Sequence, residues 1–352
     1  MPGNSNLGLE TWLEKCPPDD FPEGEPISYS QRFRALRDYM NAQVHPNVEK
    51  GALLHDDGYL TDHGPEHILT VIRRADDLLG IDENKPPVTG YEAFFLLCAI
   101  HFHDVGNIYG RAGHEKKLAD VMEQLEPLVS EDSVERRIIR NIAEAHGGTT
   151  EDGDKDTIRR LEPVEFVRGR KVRLQLLAAI LRFADELADD SNRAARFMIK
   201  LNQIPKQSQV HHAYAASLNS VLVERESSTV DLQFVLDASN VGERLGKGKR
   251  SSFLLDEVFS RTLKMHTERM YCSRFFGPAT TVESIRVRIR VYEGRNHPTP
   301  KYIIRYLLRE SGYPSVNKTL AEMCPDVGWT GSKLQAAMSK ISRARRRGAK
   351  RA

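Results

Sequence analysis

The residues best suited to chemistry are histidines and aspartates at the ends of apolar segments. An apolar run from Phe94 to Ile100 leads almost directly into His103 and Asp104. Burying an imidazole and a carboxylate at such a place is costly unless a partner compensates, and a metal ion would be such a partner. Further candidate ligands lie elsewhere in the chain: His67, His114, His146 and Asp185. We therefore expect a site that gathers residues distant in sequence.

Imidazole and carboxylate ligands suit Mn, Fe, Co, Ni or Zn, whereas an all-carboxylate site suits Mg or Ca better. One ion needs about four protein ligands, and the sequence offers His67, His103, Asp104 and Asp185. His114 and His146 would allow a second ion, with Asp104 placed to bridge. Two ions can hold a hydroxide and neutralise charge on a phosphoryl group. The expected cofactor is therefore a divalent metal, preferably two ions chosen among Mn, Fe, Co, Ni, Zn or Mg, and the expected chemistry is phosphoester hydrolysis.

Helical periodicity predicts the elements that position these ligands. Thr61 or Asp62 caps a helix with Pro65 in its first turn, which puts His63 and His67 on one face. His55 and Asp56 form a second His-Asp pair, but the adjoining Asp-Gly predicts a loop without a ligand role. The other helices are expected at residues 30–48, 91–103, 114–125, 133–146 and 172–188. Such a set favours a helical bundle with the site between its helices.

The pattern changes after about residue 200. Alternation with period two predicts strands at 221–224, 230–236 and 285–291, with a helix at 253–271 between them. A short sheet with a helix on one face and arginines on the other fits this pattern. Residues 302–308 and 333–347 are expected to form short helices. The predicted domains are a leader with a helix at 1–50, a helical metal-binding domain at 51–200, an α/β extension at 201–295 and a helical C-terminal segment at 296–352.

Composition narrows the class of protein. The chain has 352 residues, is 40% hydrophobic and has a formal net charge of +2, as expected of an ordinary globular protein. The longest apolar run is too short to span a bilayer, and no signal peptide is evident. The four cysteines have no metal-ligand spacing, which suits a reducing, cytoplasmic setting. Residues 340–352 hold seven cations and no acid, so this tail is either a solvated end or an arm for nucleic acid. An oligomer is possible.

The ordered set His67, His103-Asp104 and Asp185 resembles the HD-domain superfamily of metal-dependent phosphohydrolases. Longer stretches resemble its prokaryotic subfamily with a conserved extension, HD-CE: residues 62–68, 103–116, 146–148 and 183–190. The resemblance is strong over about residues 50–195 and loose over 196–295. It implies a mainly α protein, with an HD-type helical bundle that binds the first metal through the four ligands. The smaller α/β extension and the helical C-terminal segment would follow the bundle.

The resemblance also implies roles for individual residues. In the cyclic-nucleotide phosphodiesterase branch, a histidine at the position of His63 protonates the leaving oxygen, whereas in bimetallic branches this turn contributes a ligand. For His114 the resemblance implies one of two roles, as a metal ligand or as a contact to substrate phosphate. Asp104 completes the catalytic candidates. The candidates for holding substrate phosphate are Lys116, Arg182 and Arg193. No Gly-Tyr-Pro stands close to Asp185, because the one in this chain lies at residues 312–314; this argues against a cyclic-di-GMP role.

Four functions are consistent with these residues. We expect a phosphohydrolase that acts on a nucleotide or related phosphoester through a metal-bound hydroxide. A nuclease on single-stranded DNA or RNA is the second possibility, with the basic tail gripping the backbone. A regulatory module that binds a nucleotide without turnover is the third. A diiron oxygenase is the fourth.

Overall fold

The computed structural model describes residues 8–48, 64–110, 113–189, 201, 203–237, 241–294, 298–310 and 319–348, with backbone alone for 126, 127 and 341–348. Contacts divide the chain into two compact units. Unit 1 comprises residues 1–56, 62–188 and 271–281, and unit 2 comprises 57–61, 189–270 and 282–352. The domain boundaries expected at residues 50, 200 and 295 stay predictions.

Unit 1 is a helical bundle with one small hairpin. Its helices are α1 (Leu9–Lys15), α2 (Tyr29–Tyr39), α3 (Pro65–Leu79), α4 (Gly90–Phe102), α5 (His114–Glu123), α6 (Glu126–Val129), α7 (Ser133–Glu144) and α8 (Leu174–Leu187). A π-helical turn, Met40–Val44, extends α2. The strands β1 (Glu165–Val167) and β2 (Arg170–Val172) pair antiparallel. The predicted mainly α fold is therefore confirmed.

Helix α4 is the centre of the bundle. All of its residues from Gly90 to Phe102 are buried, as its uniformly apolar sequence predicts. Thr89 begins the helix with a capping box, because its side chain accepts from Glu92 N–H while the Glu92 carboxylate accepts from Thr89 N–H. The same carboxylate accepts hydrogen bonds from the Arg173 guanidinium and backbone N–H. One buried acid therefore ties the start of α4 to the start of α8.

A second buried acid joins three other helices. The Glu135 side chain in α7 is fully buried and accepts hydrogen bonds from the hydroxyls of Tyr29 and Tyr91, each at 2.6 Å. Arg32 pairs with the same carboxylate at 2.9 Å, and Ser130 donates at 2.5 Å. Because these donors come from α2, α4 and the segment before α7, the network fixes the helices that carry His103 and His146.

Unit 2 contains a four-stranded mixed sheet in the order β3-β4-β7-β8. The strands are β3 (Leu218–Glu224), β4 (Thr229–Asp237), β7 (Ser284–Tyr292) and β8 (Tyr302–Arg309), and β5 (Arg244–Lys247) pairs with β6 (Arg250–Phe253) in a separate hairpin. The β4–β7 pair is parallel and the other two pairs are antiparallel. The helices are α9 (Gln209–Ser217), α10 (Leu254–Phe276, whose last turns belong to unit 1), α11 (Leu320–Met323) and α12 (Gly331–Gly348).

The helix expected at Tyr302–Leu308 is wrong, because this segment is strand β8. It pairs with β7 and buries Ile304, Tyr306 and Leu308, whereas the intervening residues are exposed. Apolar residues at most positions conceal the period of two, and pairing with a partner strand decides the conformation. The helix expected at 333–347 is confirmed by α12.

Two other expectations fall outside the described residues. These are the loop with His55 and Asp56, and the cap at Thr61 or Asp62; among described residues, Gly64 precedes α3. All four cysteines are free. Among the described helices, none combines the length and the apolar character needed to cross a membrane.

A buried histidine pair lies beside α4. His45 Nε2 and His101 Nδ1 are 3.0 Å apart and both rings are buried, so His101 is a core residue. Burial, together with the nearby His103 and His67, lowers the pKa of His45 from 6.5 to about 3.

Replacing Glu135 with alanine should lower the free energy of unfolding by about 3–5 kcal/mol, because Arg32 would lose its fully buried partner and keep only Glu25, and the Tyr29 and Tyr91 hydroxyls would lose their acceptor. Urea denaturation measures the change. Glu131→Ala is the matched control, since Glu131 is exposed four residues away. Equal losses in the two variants would contradict the role of the network.

Acidification should destabilise the fold through His45. Its pKa in the folded state lies below that of the unfolded chain, so the unfolded chain binds the proton more readily. The contribution of His45 to stability is therefore present above pH 6.5 and is lost as the pH falls from 6.5 towards 3. Thermal melts at about pH 7 and pH 5 should show a smaller decrease for His45→Gln than for the wild type. The same decrease in both would refute the assignment.

Candidate metal centre

Five segments of unit 1 bring the predicted ligands together. His67 lies in the first turn of α3, and His103 and Asp104 follow the last residue of α4. Asp185 lies near the end of α8, His114 is the first residue of α5, and His146 follows α7. The side chains form two groups, each of which could hold a metal ion. The first group is His67, His103, Asp104 and Asp185; the second group is Asp104, His114 and His146.

The first group surrounds a point between two histidines and two carboxylates. His67 Nε2 lies 3.5 Å from Asp104 Oδ2 and 3.2 Å from Asp185 Oδ1. His103 Nε2 lies 3.5 Å and 3.6 Å from the same two oxygens. The ligand atoms of this group all lie within 4.8 Å of one another, so one ion could contact all four residues.

The second group shares Asp104 but uses its other oxygen. Asp104 Oδ1 lies 3.1 Å from His114 Nε2 and 3.8 Å from His146 Nε2, whereas Oδ2 faces the first group. A carboxylate with one oxygen towards each group has the geometry of a bridge between two cations. The bridging role of Asp104 stays a prediction, to which this arrangement of its two oxygens is suited.

Backbone carbonyls orient two of the imidazoles. His103 Nδ1 lies 2.7 Å from Ile100 O, and His146 Nδ1 lies 2.6 Å from Ala143 O. Donation from Nδ1–H to a carbonyl leaves Nε2 unprotonated and directed at the site, which is how proteins commonly orient metal-binding histidines. The buried Nε2 of His103 has no hydrogen-bond partner among the described residues. The donor set therefore fits a divalent metal ion.

The charges of the site are strongly coupled. Burial alone would lower the pKa of His103, but the carboxylates of Asp104 and Asp185 outweigh it and raise that pKa to about 9. Burial opposes ionisation of Asp185, yet the adjacent imidazoles of His103 and His67 hold its pKa well below the usual 3.8. Burial and then the neighbouring His103 lower the pKa of His146 to about 3. In the absence of metal, the site therefore favours one cation near Asp185.

Three neighbouring residues support the ligands, although the sequence assigned them no role. Asn107 Nδ2 donates to Asp104 Oδ1 at 3.0 Å, and Glu115 Oε2 lies 3.3 Å from His114 Nδ1. Gly106 allows His114 to approach, because a Cβ at residue 106 would lie 1.9 Å from the carbonyl oxygen of His114. The sequence signal for these three residues was that they lie in the stretch from His103 to Lys116. Their contacts became visible only in the fold.

The remaining sequence candidates differ in position. His63 and Arg193 lie outside the described residues. Arg182 is buried, donates to Thr157 Oγ1 at 3.0 Å and stacks on the Tyr271 ring at 4.5 Å. Lys116 lines a cavity of about 320 Å³ beside the second group, together with Glu115, Glu144, Gly147, Thr157 and Arg160. Lys116 is thus the described phosphate candidate that reaches an open cavity, while a phosphate-binding role for either residue stays a prediction.

A known protein family matches the part of the chain that contains the ligands. The HD-CE family model matches residues 57–263, which is more than half of the chain. This match covers every residue of the two ligand groups. No curated protein matches the chain.

The two groups should separate in metal content. We expect His114→Ala and His146→Ala to lose one bound ion while the first group keeps its own, and Asp104→Ala to lose both because both groups use its carboxylate. Elemental analysis after reconstitution with Mn or Fe measures the stoichiometry. The control is His211→Ala, because His211 lies in α9 of unit 2. A full complement of metal in Asp104→Ala would refute the bridging arrangement.

Proposed function

The chain belongs to the HD-CE family, and on that premise we propose that unit 1 is a divalent-metal-dependent phosphohydrolase acting on a nucleotide or a related phosphoester. The observation that supports this proposal most is the division of the Asp104 carboxylate, with Oδ2 towards the first group and Oδ1 towards the second. A pair of cations held by a shared carboxylate is a common arrangement for phosphoester hydrolysis.

The protein's part in this chemistry is to hold and orient. His67, His103 and Asp185 would hold one ion, His114 and His146 the other, and Asp104 both. The ions, when bound, would supply Lewis-acid chemistry that activates water and offsets charge at phosphorus. The carbonyls of Ile100 and Ala143 accept from Nδ1 of His103 and His146 and so keep both imidazoles in the ligating tautomer. Glu115 does the same for His114, again at Nδ1. We keep His63 as the candidate acid for the leaving oxygen, because it stands four residues before His67 in the sequence.

The adjoining cavity provides the substrate site of the proposal. Glu115 and Gly147 line it, and they are the chain neighbours of His114 and His146. Its volume of about 320 Å³ is at the lower end for small-molecule pockets, which favours a mononucleotide-sized phosphoester over a bulky one. Lys116 and Arg160 would contact phosphate there. Arg182 would contribute indirectly, because it donates a hydrogen bond to Thr157 and so positions this residue in the cavity wall.

Turnover by metal-loaded protein tests the proposal. The panel combines Mn, Fe, Co, Ni, Mg and Zn with chromogenic phosphomonoesters and diesters, nucleoside phosphates, cyclic nucleotides, and single-stranded DNA and RNA. We expect release of phosphate or alcohol by the wild type and by Asp120→Ala, whose mutated residue is exposed on α5. Asp104→Ala should be inactive. Equal rates in Asp104→Ala and wild type would place the activity elsewhere or in a contaminant.

The alternatives predict different outcomes of the same panel. Metal-loaded protein that binds nucleotides but turns over no substrate would be a sensing module. Cleavage confined to DNA or RNA would identify a nuclease. Consumption of O₂ with an iron-loaded protein, absent under anaerobic conditions, would identify an oxygenase.

A further inference from the structure

One face of the four-stranded sheet in unit 2 is open to solvent. Helices α9 and α10 cover the other face, where the Tyr214 and Phe234 rings lie 5.6 Å apart and the Tyr306 hydroxyl lies 2.8 Å from Thr262 Oγ1. On the open face, the strands present aliphatic side chains that are 39–51% exposed: Leu222, Val235, Ile303 and Leu307. We call this surface the outer sheet face.

Arginines dominate the charge of the outer sheet face. In β7, Ile285, Val287, Ile289 and Val291 are buried and the intervening residues point to the other side. Three of these intervening residues are Arg286, Arg288 and Arg290. Their partners in β8 lie on the same face of the sheet, because the two strands are in register. The cations of the face are all arginine, namely Arg286, Arg288, Arg290, Arg305 and Arg309. The alternation predicted from the sequence placed the first three there.

Most of these arginines form no ion pair among the described residues, although Glu322 and Asp326 line a cavity together with Arg305 and Arg309. Arg286 pairs with Glu224 at 3.1 Å and with Asp231 at 3.5 Å. Among the described residues, no acid forms an ion pair with Arg288, Arg290, Arg305 or Arg309. In the sheet register, Arg288 lies directly opposite Arg305, and its other neighbour is Gln233. Like charges directly opposite each other are destabilising, so the face carries a pair that a bound anion would relieve.

An unsatisfied hydrogen-bond donor also indicates a bound anion. The Arg288 Nε is buried and has no hydrogen-bond partner among the described residues. A buried donor without a partner is uncommon and requires an explanation. A bidentate acceptor, such as a phosphate group, would satisfy this arginine and the one opposite it at once.

The spacing of the arginines indicates a polymer. Residues two apart in a strand are separated by about 6.6 Å, so Arg286, Arg288 and Arg290 repeat one positive charge at a regular interval along β7. A chain with one negative charge per repeating unit matches such a row, whereas carboxylates in acidic proteins have no fixed interval. Exposed Val235, Ile303 and Leu307 between the arginines offer apolar contact for sugars and bases.

The width of the sheet selects a single strand. Adjacent strands lie about 4.8 Å apart, so four strands are wider than the major groove, which is about 12 Å wide and admits a helix or a two-stranded ribbon.

Charge is also distributed unevenly between the units. Unit 2 has about twelve more basic than acidic residues, whereas unit 1 has about ten more acidic than basic. The field of unit 2 would therefore attract a polyanion.

We propose that the outer sheet face of unit 2 binds the phosphodiester backbone of single-stranded nucleic acid, with Arg288 and Arg305 at its centre. This binding requires no metal and is independent of the proposed hydrolysis in unit 1.

Fluorescence anisotropy with labelled oligo(dT) and oligo(U) tests the proposal on the full-length protein in the presence of a chelator. We expect the double variant Arg288→Gln/Arg305→Gln to bind roughly tenfold more weakly or worse. Its salt dependence, the slope of log K against log salt, should be smaller by about 1.4, since each lost phosphate contact on a single strand contributes about 0.7. The two probes show whether the sugar matters.

The matched control is Lys249→Gln/Arg250→Gln, which removes the same charge from the β5–β6 hairpin. Because the opposed arginines repel each other, the sheet variant should melt no lower than the wild type, which excludes misfolding as the cause of weak binding. Arg288→Lys/Arg305→Lys should recover part of the affinity, since it keeps the charge but not the bidentate geometry.

Three results would overturn the proposal. The first is unchanged affinity in the sheet variant, including the case in which Arg345→Gln/Arg346→Gln/Arg347→Gln in the tail abolishes binding. The second is an equal loss in the hairpin control. The third is a preference for another partner, seen as tighter binding of a blunt duplex or as equally effective competition by polyglutamate.

Discussion

The Asp104 carboxylate is the interaction on which unit 1 depends. It is buried next to a second carboxylate and among imidazoles from four different segments. An arrangement of this kind is costly in a protein interior unless cations and hydrogen bonds compensate it. In the absence of metal, a proton on His103 meets part of the requirement, as its pKa of about 9 indicates. Metal ions held by the two ligand groups would meet the rest.

Holding those atoms in place is the task of the helices around them. Glu92 ties α4 to α8 and Glu135 ties α7 to α2 and α4. Both acids are buried and fully used by donors, so they fix orientations as well as distances. The ligands lie at helix ends, where backbone carbonyls are available to accept from Nδ1 of His103 and His146. Helix packing and ligand orientation are therefore one problem in this bundle.

Unit 2 has a different physical character. It is basic where unit 1 is acidic, and its sheet buries aliphatic and aromatic residues on one face while the other is rich in arginine. Parallel pairing of β4 with β7 puts Asp231 beside Arg286 but Gln233 beside Arg288. The register thus neutralises one end of the arginine row and leaves the rest available for a partner.

The amino-acid sequence by itself determined the features that depend on local periodicity. The apolar run before His103, the alternation of β7 with its arginines on one side and the ordered set of ligands are all of this kind. So are helices α2, α3, α4, α5, α7 and α8, whereas α1, α6 and the β1–β2 hairpin were not predicted. Tertiary structure alone decided the features that depend on pairing between distant residues. These include the division of Asp104 between two groups, the approach of His114 to Gly106, the His45–His101 pair and the strand conformation of β8. The reason is that periodicity is a property of one segment, whereas a distance across the fold depends on every element that packs between its two ends.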